Sequence, residues 1–151
     1  MTNPLLDCPG LPRFDAIAPE HVRPAITALL EEARALVERL TDDAVPPTWA
    51  DFARPLADGT ERLSRAWGVV GHLHSVKDLP PWREAYNDLL PEVTNFYSAL
   101  GQNLALFSKY KALAASPEYA TLSAARKRIV DNEIRDFRLS GAELPDAQKP
   151  R

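Results

Sequence analysis

Tyr119 to Gly141, YATLSAARKRIVDNEIRDFRLSG, decides the fold class. Leu122, Ala125, Ile129, Val130, Ile134 and Phe137 recur at three- and four-residue spacing, which places them on one face of a helix. The spacing predicts a single amphipathic helix over 119–141. Asp131 and Arg135 stand four apart on its exposed side, where they are placed to pair weakly. Gly141 follows the last turn and suits the left-handed conformation that closes a helix. Nothing in the stretch is equipped for bond making or breaking.

The same period runs back along the chain. Val22, Ile26, Leu29, Leu30, Ala33, Leu36, Val37 and Leu40 form a wide apolar stripe over 19–42, with Glu31 and Arg34 opposite; Pro19 or Pro24 is the first-turn proline. Thr48-Trp49-Ala50-Asp51 resembles a capping box with Asp in place of Glu, opening a short helix to about Arg54. Pro55 restarts the pattern into a longer helix to about Val76, with Leu56, Leu63, Ala66, Trp67 and Val70 facing inward. Gly59, Gly68 and Gly71 weaken it and are suited to close approach by a neighbour. A further helix, roughly 81–100, is expected to bend at Pro91 and to bury Tyr86, Leu89, Leu90, Val93, Phe96, Tyr97 and Leu100. Asn103 to Ala115 makes another through Leu104, Leu106, Phe107, Tyr110 and Leu113. No segment alternates at period two over a strand's length. The fold class read from this pattern is all-α: an antiparallel helical bundle of five to seven helices with an extended N-terminal arm. Residues 1–18 read as the arm, 19–141 as one helical domain and 142–151 as a tail.

Composition sets the outer limits. A chain of 151 residues buries roughly 70% of its extended surface, enough for a core. Hydrophobic residues at 45% and charged residues at 26% are those of an ordinary globular protein. The net charge of −3 lacks the basic excess of a nucleic-acid binder. No run approaches the roughly 20 apolar residues of a membrane helix. The opening MTNPLLDCPGLPRFD has neither the positive start nor the apolar core of a signal peptide. Cys8 is the sole cysteine, so no intrachain disulfide forms and a reducing cytoplasm is the expected location. Cys8 sits in a Pro-rich arm with no nearby base and reads as unreactive.

The candidate chemical motifs are weak. His72-Leu73-His74 suggests a metal, but residues two apart on a helix point about 200° apart and do not share one ion. An extended backbone would let them, yet no third ligand stands at a matching spacing. Glu20-His21 reverses the order of H-E-x-x-H, and no second His follows four later. None of Ser64, Ser75, Ser98, Ser108, Ser116, Ser123 and Ser140 has a G-x-S-x-G setting, and there is no glycine-rich phosphate loop. Arg126-Lys127-Arg128 would suit an anion or a peptide carboxylate, but such runs are usually solvated faces. Trp49, Trp67 and Trp82 line a groove or, more commonly, anchor a core. The residues therefore assign no catalytic, cofactor or metal position.

An ordered set of strings says more. MTNPLL at the start is followed by PEHVRPA (19–25), TW (48–49), PLA (55–57), HLHSVK (72–77), REAY (83–86) and LP (90–91). GQN (101–103), YATL (119–122), VDN (130–132), RDF (135–137) and LSG (139–141) complete it. In this order the chain resembles the N-terminal region of the thimet oligopeptidase family of zinc metallopeptidases, over its whole length. His74 stands where asparagine is expected, a departure that touches nothing catalytic.

The resemblance implies a parent several times longer and almost wholly helical, with two lobes facing a deep channel. It implies an H-E-x-x-H zinc helix and a further glutamate ligand in the C-terminal half, outside this chain. There the zinc activates the water that attacks a peptide carbonyl. It implies short peptides as substrates, cytoplasmic peptide breakdown as the setting, and the C-terminal catalytic region of the same chain as partner. This region would be part of the channel wall, inert alone and binding no zinc. The ending LPDAQKPR falls where relatives begin another long helix, so the chain is expected to be cut there. A lobe so cut should self-associate through exposed apolar surface. The competing reading is a freestanding helical interaction module without peptidase activity. A downstream reading frame containing H-E-x-x-H supports the first reading, and a natural stop codon after Arg151 the second.

Overall fold

A computed structural model describes residues 3–7 and 10–144. Six α-helices account for most of them: α1 (Val22–Thr41), α2 (Arg54–Lys77), α3 (Pro80–Gly101), α4 (Leu104–Ala115), α5 (Pro117–Thr121) and α6 (Ala124–Leu139). No strand occurs among the described residues, so the fold is all-α. The chain divides into two compact units. One comprises 1–36 and 58–96, the other 37–57 and 97–151.

In the first unit, the stripe read from sequence is the buried face of α1: Val22, Ile26, Leu29, Leu30 and Ala33 are all in the core, while Glu31 and Arg34 face solvent. The α-helix begins at Val22, not at Pro19. Pro19–His21 forms a 3-10 turn instead, because His21 Nδ1 accepts the Ala18 N–H at 3.0 Å and tightens the entry. Pro24 then falls in the first turn of α1, where its missing N–H leaves no bond unmade. Leu63, Ala66 and Val70 of α2 are buried as expected, and Trp67 is half-buried. At Gly59 the chain passes close to α1: a Cβ there would run into the Leu36 side chain. Gly68 meets nothing within 4 Å, so close packing does not explain it. Asp78 and Leu79 connect α2 to α3, with Asp78 in the left-handed region at φ 43°. Pro91 lies inside α3 on an exposed turn with Asn87, so the carbonyl it leaves unpaired is open to solvent. Trp82, Leu89, Val93 and Phe96 are buried, but Leu90 is exposed, contrary to the face drawn for it.

In the second unit, Thr48 caps a π-type turn, Trp49–Ala53. Its hydroxyl accepts the Asp51 N–H at 3.0 Å and donates to Asp51 Oδ2 at 2.8 Å. The reciprocal bond of a true capping box, from the Thr48 N–H, goes elsewhere, to the Pro46 carbonyl at 2.8 Å. Asn103 caps α4 by accepting from Ala105 and Leu106 N–H at 3.0 and 3.1 Å. Leu106, Phe107, Tyr110 and Leu113 are then buried, and α4 packs on α5 and α6.

The single helix predicted over 119–141 is in fact two. α5 ends at Thr121, Leu122 and Ser123 are extended (ψ 146° and 158°), and α6 starts at Ala124. Two local bonds stabilise the break. Ser123 Oγ accepts the Arg126 N–H at 3.4 Å as an N-cap, and the Lys127 ammonium donates to the Ala120 carbonyl at 2.8 Å at the end of α5. Leu122 in the break and Val130 beyond it are both buried, so the apolar period survives the interruption. Ala125 and Ile129 are exposed. Asp131 and Arg135 do not pair: Asp131 accepts from the Tyr119 hydroxyl at 2.6 Å, and Arg135 binds Asp136 at 2.8 Å. The stop at Gly141 is as read, with φ +86°. Gly141 N–H bonds the Arg138 carbonyl and Ala142 N–H the Phe137 carbonyl, both at 3.0 Å, while Phe137 and Ala142 are both buried, the arrangement of a Schellman motif. The tail reading concerns mostly Pro145–Arg151, and these, with Cys8, lie outside the described residues.

Candidate functional site

The two histidines of HLHSVK go to different neighbours, as the helical spacing requires. His72 is exposed and meets the Phe14 ring at 5.4 Å between centroids. His74 is half-buried and stacks on Tyr86. His21 spends its Nδ1 on the Ala18 N–H, and its carbonyl accepts from Asn3 Nδ2 at 2.8 Å, which ties the arm to the start of α1. Among the described residues no three His, Cys, Asp or Glu side chains are grouped so as to hold a metal. The donor set of the described residues thus does not fit a catalytic zinc.

The tryptophans and two cations of the basic triplet contact other elements of the fold. Trp82 is in the core, with Lys77 Nζ 5.5 Å from its ring centroid. Trp67 stacks on Tyr86. In the second unit, the Trp49 N–H donates to the Glu118 carboxylate at 3.2 Å, and the Arg126 guanidinium lies over the Trp49 ring at 5.1 Å. The Trp49 indole N–H is buried without a hydrogen-bond partner among the described residues. Lys127 serves the end of α5, and Arg128 is exposed. Two of the three cations therefore have protein partners, which the solvated-face reading did not anticipate.

Two features escaped the sequence reading. Lys109, on the buried side of α4, directs its ammonium at the carbonyl oxygens of Asp42 and Val45, each at 2.6 Å. Beside it, Tyr110 packs edge-on against Phe52. Burial, and then the nearby Glu133 carboxylate, push its hydroxyl pKa up. Glu133 is itself raised above its ordinary value, chiefly by burial and then by Asp136. The signal for Lys109 was present in its spacing, one residue before Tyr110 on the apolar face of α4, but a lysine there is ordinarily read as solvated.

The other missed feature is a cleft of about 140 Å³ in the first unit. Pro4, Leu5, Leu6, Pro12 and Ile17 of the arm form one wall, with Leu29 of α1 and Ala66 and Val69 of α2 opposite. Glu61, Arg62 and Arg65 stand on its α2 side. Arg62 pairs with Glu32, and Arg65 donates to the Gly10 carbonyl. Among the described residues, neither this cleft nor the histidines pair a nucleophile with a base.

An all-α chain of this order, with no catalytic set among its described residues, has a clear kinship. Residues 26–149 match the N-terminal domain of the Neurolysin/Thimet oligopeptidase family, and the chain belongs to that family. It is 44% identical to Oligopeptidase A of Escherichia coli and 43% identical to Oligopeptidase A of Salmonella typhimurium, in each case over 100% of this chain and 22% of the relative. It is 40% identical to the Probable cytosolic oligopeptidase A of Arabidopsis thaliana, over 98% of this chain and 21% of that protein. The chain thus spans about a fifth of the length of these relatives and is similar to the N-terminal region of oligopeptidase A. Among the described residues no helix is long and apolar enough to cross a membrane.

Proposed function

We propose that this chain serves as the N-terminal scaffold of a zinc-dependent oligopeptidase that hydrolyses short peptides in the cytoplasm. The reading rests on one observation above others: 40–44% identity to oligopeptidases A along essentially the whole chain. The helices form part of the channel wall, and the zinc ligands and the catalytic water belong to the C-terminal region that follows in a parent-length protein. Apolar side chains left exposed, Leu139 at 79% and Leu104 at 51% among them, favour self-association of the chain by itself.

The test is a peptidase assay on the purified 151-residue chain with an internally quenched peptide, with and without added zinc. No cleavage is expected in either condition. Zinc-dependent, chelator-sensitive cleavage by a pure sample would overturn the scaffold role. A parent-length protein carrying H-E-x-x-H should cleave the same peptide, and its failure would overturn the peptidase assignment. Light scattering of the 151-residue chain should show species above the monomer.

A further inference from the structure

We draw no further inference here: the strongest candidate, the exposed apolar surface patch of Leu11 and Phe14 on the N-terminal arm with Val76 and Leu79 at the end of α2, has nothing in the structure to show what covers it.

Discussion

The His74 imidazole lies flat against the Tyr86 ring, with centroids 4.4 Å apart and planes 16° apart. Trp67 also stacks on Tyr86, at 4.7 Å and 10°. Trp67 and His74 are seven residues apart on α2, roughly 10.5 Å along the axis, so they occupy opposite faces of the one ring. Gly71, between them, also faces the ring: a Cβ there would lie in ordinary contact with Tyr86, at 3.8 Å. The stack joins α3 to α2 without a polar bond. Replacing His74 with the asparagine its relatives led us to expect should lower stability by about 0.5–1.5 kcal/mol, the usual worth of a ring pair. Urea unfolding of His74→Asn, Tyr86→Leu and the double variant checks this. Additive losses would mean that the contact carries no energy of its own.

Lys109 should be among the least replaceable charged residues of the chain. Its ammonium satisfies two carbonyl oxygens in the segment between α1 and the π-type turn, and the residue is 9% exposed. Lys109→Met keeps the length and apolar stem but leaves both carbonyls unpaired. A loss of about 2–3 kcal/mol is expected. Thermal unfolding should show it as a fall in Tm, and an unchanged Tm would show that solvent reaches these carbonyls.

Gly141 occupies the left-handed region at φ +86°, and a Cβ there would meet Leu144 Cδ1 at 3.1 Å. Gly141→Ala should therefore destabilise by about 1–2 kcal/mol. The effect should be local to the end of α6. Hydrogen exchange of the Gly141 and Ala142 amides, which close the Schellman motif, should accelerate more than that of Val130 in the core.

Glu133 titrates above its ordinary 4.5, because burial and the nearby Asp136 disfavour its charge. The folded state therefore binds this proton more tightly than the unfolded chain. Stability from this group is present below the unfolded value and is lost as pH rises through the folded one. Glu133→Gln should raise stability at pH 7 and leave it nearly unchanged well below pH 4.5, where the carboxyl is neutral in both folded and unfolded states. It should also ease deprotonation of Tyr110, whose hydroxyl is held up by burial and then by Glu133. A variant less stable than the parent at pH 7 would show that the carboxylate is stabilised by a partner instead.

Periodicity exposed most of the helices because burial of a helix face is a local, repeating demand. Val22, Ile26 and Leu30 are buried for that reason, and so are Leu106, Tyr110 and Leu113. The Thr48 cap was legible for the same reason, since it bonds a backbone N–H three residues away, whereas Asn103, read as the first helical residue, is the cap of α4. The reading failed at Leu122–Ser123, where an apolar period of whole turns continues across an extended pair. Ser123 was the available sign, a hydroxyl at an N-cap position, but it lacks the Glu or Gln three residues on that makes such a cap conspicuous.

By itself the sequence determined the helical class, most of the core faces and, through its ordered strings, the family, because each is carried by residues near one another in the chain or by their order. Tertiary structure alone decided which polar and aromatic groups meet. Lys109 reaches carbonyls 64 and 67 residues away, the Trp49 N–H finds Glu118 69 residues on, and the arm closes a cleft over α2. Such meetings depend on how separate helices are placed in space, and hydrophobic spacing within one helix carries no record of what lies across from it.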